Sequence, residues 1–247
     1  MMSIKNLIVE PIFSAAMSFD FAANERVAVI GPSGAGKTTL LKGVSTLMGQ
    51  CQSLTVDTCD VLDLHPVERS KVLSWTPERL EWSFDMSAIE VVELSFAPWG
   101  CLSSETQIFA VQALCSLGLR PEQRVMQMSS GELRRLTVAH TLCSQARVLV
   151  IDEPTANLDP YHAYKSLELL SKKDAVVLFA THDLSLALEF ASFLIVLSSG
   201  RVVCAGEPEK VWSQSVLRDV FQVESVRHTH FGEYFPFLKP RIILEER

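Results

Sequence analysis

The sequence predicts an α/β protein: a sheet of buried strands with ligands gathered at the strand ends, and a helical segment inserted between its halves. Three observations carry this. Apolar runs of strand length recur at 25–31, 146–154 and 174–183 and alternate with helix-like stretches, as in a parallel sheet. A glycine-rich turn, GPSGAGKT at 31–38, joins the first run to a helix pattern. Strand signals fade over 79–145, where SSETQIFAVQALCSLGL and SGELRRLTVAHTLCSQA carry helical spacing.

Taken in order, residues 4–30 read as short strands, ending in the buried strand ERVAVIG. The stretch GPSGAGKTTLLKGVSTLMG then turns on its glycines and enters a helix. ARVLVIDEP is a second buried strand, stopped by two acids and a proline, and DAVVLFATHD is a third. SFLIVLSSGRVVCAGEP, 192–208, predicts a hairpin turning at Ser199-Gly200. The tail from 219 reads as a small mixed extension. The organisation expected is one unit over 1–247: a core from 1–78 and 146–218, a helical part at 79–145 and an extension at 219–247.

With 247 residues and 48% apolar side chains, the chain can bury a sizeable core. Its 29 acids against 22 bases give a formal net charge of −7, which sets aside a duplex-binding surface. Cys51, Cys59, Cys101, Cys115, Cys143 and Cys204 form no Cys-x-x-Cys pair. Their scatter suits buried thiols in a reducing cytosol. The start, MMSIKNLIVE, lacks the long apolar core of a signal peptide. No apolar run reaches the roughly 18 residues of a membrane span. The expectation is a soluble intracellular protein able to dock on a membrane protein.

GPSGAGKT fits G-x-x-x-x-G-K-[ST] in full, in the strand–turn–helix context that the motif needs. The loop Gly31, Pro32, Ser33, Gly34, Ala35 and Gly36 is the predicted phosphate cradle. Its glycines let the chain curl so that N–H groups converge, and the helix beginning near Lys37 adds its positive end. Lys37 is expected to reach the β- and γ-phosphates, Thr38 to ligate magnesium, and Thr39 to donate on the α-phosphate side. A further acid must hold magnesium through its water shell, and Asp152, at the end of VLVI, is the candidate. Glu153 beside it is the candidate general base for an attacking water.

The phosphate loop, MSSGE (128–132), VLVIDEPTANLD (148–159) and ATHD (180–183) agree in order and spacing. Together they resemble the ATP-binding-cassette (ABC) ATPases, over about residues 3–225. The resemblance implies a P-loop NTPase (RecA-like) core with an antiparallel β subdomain and an inserted α-helical signature subdomain. It implies that Ser129, Ser130, Gly131 and Glu132 form the signature segment that binds the γ-phosphate held by a second copy. It further implies that Asp159 is the acid of a loop crossing that dimer interface, and that His182 is the switch histidine on the γ-phosphate. Two cassettes would then enclose two Mg-ATP head to tail, with Lys37 of one and Ser129 of the other on one nucleotide.

Two positions depart from the family pattern. Ser130 stands where glycine is usual in L-S-G-G-Q/E. Glu78 stands where a glutamine usually touches magnesium and water, so it is a candidate magnesium ligand that brings extra negative charge. Phe13 is the candidate to stack on adenine; the other reading is a core phenylalanine. Trp75, Trp82, Phe84, Phe96 and Trp99 read either as a groove for a short helix of a membrane subunit or as the core of the helical insert. His228 and His230, with no cluster of acids or cysteines, are weak evidence for a metal.

AIEVVELSFAPWG and GEPEKVWSQSVLRDVFQVESVRH resemble cassettes of bacterial importers for ferric siderophores, haem and cobalamin. The resulting expectation is an ATPase subunit, with ATP and magnesium as its cofactors. It would be homodimeric, bound to integral membrane permease subunits and served indirectly by a substrate-binding protein. It would sit at the cytoplasmic face of the inner membrane, with no nucleic-acid partner. The alternatives are an exporter or lipoprotein-release cassette, and a soluble or regulatory nucleotide-binding protein with weak hydrolysis.

Overall fold

The computed structural model describes residues 1–80, 84–100, 102–230 and 233–240. In chain order the strands are β1 (Met2–Val9), β2 (Phe13–Phe21), β3 (Arg26–Ile30), β4 (Ser53–Val56), β5 (Cys59–Asp60), β6 (Leu73–Thr76), β7 (Val148–Asp152), β8 (Val176–Ala180), β9 (Phe193–Ser198), β10 (Arg201–Gly206), β11 (Val223–His230) and β12 (Glu233–Pro240). The α-helices are α1 (Lys37–Val44), α2 (Pro66–Val72), α3 (Ala88–Glu93), α4 (Ser104–Ser116), α5 (Ser130–Cys143), α6 (Pro160–Ser171), α7 (Leu184–Phe190), α8 (Pro208–Val211) and α9 (Gln214–Phe221).

The main sheet has the order β10-β9-β3-β8-β7-β6. It is parallel from β6 to β9, with β10 added antiparallel. Both faces are covered, which is why its strands read as unbroken apolar runs. Alternate residues serve different cores. Ala28, Ile30, Leu149, Ile151, Val177 and Phe179 pack with the helices of the insert. Val27, Val29, Val148, Val150 and Leu178 pack with α1 and an antiparallel sheet of order β2-β1-β4-β5. The predicted core, antiparallel subdomain and helical insert are all present.

The insert starts and stops on capping chemistry. α3, α4 and α5 each begin with a serine whose side chain accepts from the third helical N–H, in reciprocal capping boxes. Backbone bonds from Ala88 to Gln123 and from Val125 to Met86, both 2.9 Å, tie the entry to α3 to the segment between α4 and α5. The 192–208 hairpin turns at Ser199 and Gly200, both at positive φ. The tail forms a two-stranded antiparallel hairpin, with Val223 opposite Pro240 and His230 opposite Glu233; His228 and His230 lie on β11.

Sheet order sets the site. β3, β8 and β7 are neighbours, and Val29 and Asp152 both pair with Ala180. The turn after β3, the acids ending β7 and the Thr181-His182 segment after β8 therefore emerge side by side at the carboxyl ends of parallel strands, where open α/β sheets bind ligands.

Candidate functional site

Close packing shapes the loop at 31–38. A Cβ on Gly31 would lie 2.4 Å from the carbonyl oxygen of Leu197. Gly36 has φ +102°, and a Cβ there would lie 2.8 Å from Phe13 Cζ. Gly36 caps α1 without a side-chain hydrogen bond, so the N–H groups of the first turn remain available for an anion. Lys37 folds back over the loop and donates to the carbonyls of Gly31 (3.0 Å) and Pro32 (3.4 Å). Ser33, Gly34 and Thr38 are exposed, Pro32 and Thr39 half-buried, and Ala35 buried beneath them.

The acids meet this loop. Thr38 Oγ1 donates to Asp152 Oδ2 at 2.7 Å, while Asp152 Oδ1 is buried with no hydrogen-bond partner. Glu153 is 9% exposed and sits at φ 49°, a left-handed backbone that is uncommon for glutamate. Burial pushes its carboxyl up to about 7, against the pull of Lys37. Burial likewise raises Asp152 and lowers Lys37.

His182 closes the constellation. Its ring nitrogens lie 3.3 and 3.2 Å from Lys37 Nζ. Nε2 is 3.1 Å from Glu153 Oε1, a buried oxygen without a hydrogen-bond partner. Burial, then Lys37, lowers the His182 pKa and favours the neutral ring. Five predicted residues, Lys37, Thr38, Asp152, Glu153 and His182, are thus brought together.

The oxygens of Thr38 and Asp152 are the hard donors that magnesium takes, and an unpartnered Asp152 oxygen fits a role on its water shell. Among the described residues no group of three His, Cys, Asp or Glu side chains could hold a metal alone. Glu78 is exposed, and its backbone carbonyl accepts from Arg134 at 2.9 Å. Its carboxylate acts on Asp152 and Glu153 only through its charge, raising both.

Among the described residues no hydrogen bond or ion pair joins residues 129–132 to this cluster. Ser129 Oγ donates to Glu132 Oε2 at 2.8 Å and accepts from the Glu132 N–H at 3.3 Å. Hydrogen bonds from Gln123 and Ser129 hold the Glu132 carboxyl down at about 2. Ser130 is exposed at the first position of α5. Gly131 is close-packed: a Cβ there would lie 3.1 Å from the Asn157 carbonyl oxygen. Asp159 caps α6 through the His162 N–H (3.0 Å) and pairs with His162 Nδ1 at 2.7 Å.

Phe13 corrects one reading. It is 2% exposed, packed in the core beneath Gly36, and not available to stack on a base. Trp75 and Phe96 also pack against the cores. Phe84 is 77% exposed. Trp99 is half-buried, and Trp82 lies outside the described residues. Sequence reasoning missed Arg134, buried on α5. The available signal was an arginine at the head of the buried series Thr137, Val138 and Thr141.

A family model described as ABC transporter matches residues 15–156. The hemin import ATP-binding protein HmuV of Agrobacterium fabrum is 32% identical over 91% of each chain. This chain belongs to the ABC transporter family. The petrobactin import ATP-binding protein FpuC of Bacillus anthracis is 29% identical, over 92% of this chain and 87% of its own. The fold of the cassette also matches the dimeric structure of a bacterial ABC transporter cassette. The TM-score is 0.71 at 23% identity, over 84% of this chain and 98% of that one. As a member of this family the cassette is an ATP-binding ATPase. Among the described residues no helix is long and apolar enough to cross a membrane.

Proposed function

We propose that the cassette powers import of an iron chelate, haem or cobalamin, hydrolysing Mg-ATP as a homodimer on the cytoplasmic face of the inner membrane. One observation carries the catalytic part: Lys37, Thr38, Asp152, Glu153 and His182 converge at the ends of three neighbouring parallel strands. The likeness to the hemin and petrobactin import proteins supports the cargo class.

In this reading the residues of 31–36 cradle the phosphates by their N–H groups, with Lys37 on the β- and γ-phosphates and Thr39 on the α side. Thr38 and Asp152 would hold magnesium, Glu78 lying near; the ion supplies positive charge to the phosphate oxygens. Glu153, with a carboxyl near 7, takes a proton from water as its oxygen attacks the γ-phosphorus and the bond to ADP breaks. Neutral His182 faces the same phosphate. Ser129, Ser130, Gly131 and Glu132 of one copy complete the site of the other, with Asp159 at the crossing between them. The core over 1–78 and 146–218 and the signature part over 79–145 divide this work. An open cleft of about 480 Å³, lined by Met86, Glu90, Leu94, Phe96 and Leu102, suits a short helix of a permease subunit. A substrate-binding protein would act through that permease.

The test is ATP hydrolysis with and without the reconstituted permease, in wild type and Glu153→Gln. The variant is expected to keep ATP bound and to lose turnover by on the order of a hundredfold or more. Normal hydrolysis by it removes Glu153 from this role. Glu78 favours a second reading, a regulator with weak hydrolysis, because its charge adds to those of Asp152 and Glu153. Near-zero activity with and without permease would select that reading.

A further inference from the structure

Arg134 is 3% exposed, and no carboxylate oxygen forms an ion pair with it among the described residues. Its fork instead takes four backbone carbonyls. Nη1 donates to Pro77 (3.2 Å) and Glu78 (2.9 Å), and Nη2 donates to Asp152 and Glu153. The first pair follows β6 and the second ends at the turn after β7, two strands that pair through Thr76 and Ile151. One planar group thus clamps both chain exits, a geometry that a lysine's point charge cannot reproduce.

The clamp acts where the backbone needs holding. Glu153 sits at φ 49°, and such a conformation persists only where the surroundings over-determine it. Carbonyls on both sides of that φ angle, those of Asp152 and Glu153, are fixed by one nitrogen. Arg134 itself is anchored on α5, one helical turn beyond Ser130. A shift of α5 therefore carries the guanidinium, and with it the four carbonyls.

We propose that Arg134 is a positioning residue: it sets the backbone of Glu153 and of the Pro77-Glu78 segment from the signature helix of the same chain. Movement at Ser129-Ser130 then re-aims the acid across the nucleotide of its own subunit. The proposal rests on Glu153 being the proton acceptor.

The experiment uses the full chain as wild type, Arg134→Lys, Arg134→Gln and Glu153→Gln. It records kcat and KM for ATP, binding of a fluorescent ATP analogue, and amide hydrogen exchange over 77–80 and 153–156. Both Arg134 variants are expected to lose kcat, on the order of a hundredfold for Arg134→Gln. KM and analogue binding stay within about twofold, and the two segments lose protection together. Wild-type kcat with unchanged exchange in a folded variant overturns the proposal; so does protection lost in one segment only. If neither Arg134 variant folds, Glu153→Gln decides. On adding ATP to it, protection over 77–80, 153–156 and 129–134 must change as a set, and independent changes overturn the clamp. Normal hydrolysis by Glu153→Gln defeats the role of Glu153 instead, a separate result from the exchange data.

Discussion

At the residue scale, the proposed phosphate site is a backbone shape that particular residues permit. Gly36 combines φ +102° with a Cβ direction blocked at 2.8 Å by Phe13. Gly36→Ala is therefore expected to lose measurable ATP binding and about 1–3 kcal/mol of stability, read by nucleotide titration and thermal melts. Phe13 supports that glycine from below. Phe13→Ala should cost about 3–5 kcal/mol through the cavity it leaves, while the preference for ATP over GTP stays unchanged. A loss of that preference would return Phe13 to the base. The loop was legible because the spacing of its glycines and Lys37 encodes the backbone path itself. Phe13 was not: an aromatic at the head of a strand reads the same whether it fills a core or faces a ligand. Arg134 was hidden for another reason. Most helical arginines face water, and its four carbonyl partners come from two segments far from it in sequence.

At the element scale, legibility follows burial. β7 and β8 are buried along their whole length, and β3 is buried beyond Arg26, so all three stand out as apolar runs. β4 and β5 have four and two residues, and α2 buries none of its seven, so they leave no periodic trace. Helix α5 shows what an element can add. On it, His140 buries Nδ1 without a hydrogen-bond partner, and burial holds its pKa down at about 4. An unfolded histidine titrates near 6.5. Between these values the unfolded chain binds more protons, so stability falls as pH drops from about 6.5 to about 4. The loss from this group is about 3 kcal/mol at most. Urea melts across that window should show the wild type losing up to about 3 kcal/mol more than His140→Phe toward acid pH, the variant lacking this part of the slope. Parallel curves would show that His140 charges freely in the folded chain.

At the scale of the whole molecule, the two halves of the proposed site do not meet within one chain. Among the described residues no hydrogen bond or ion pair joins Ser129 to Lys37, Thr38, Asp152 or Glu153. The capping box satisfies Ser129 and Glu132 internally, and Ser130 stands exposed at the head of a 14-residue helix. Ser129 Oγ takes the Glu132 N–H of that first turn, while the N–H groups of Ser130 and Gly131 have no partner within the helix and can meet an anion outside the chain. Ser130 has an ordinary helical backbone, so its hydroxymethyl group strains nothing within its own subunit, and any cost of replacing glycine falls on closure against a partner. A mixing experiment separates sites shared between copies from sites complete in one. Lys37→Ala and Ser129→Arg should each be inactive alone. Mixed in equal amounts with permease, half of the dimers pair one of each, and each such dimer keeps one intact site: Lys37 from one copy facing Ser129 from the other. Hydrolysis should recover to about a quarter of the wild-type rate, whereas the double variant mixed with itself stays inactive. Sites complete within single chains could not recover at all, because every chain in the mixture carries a defect.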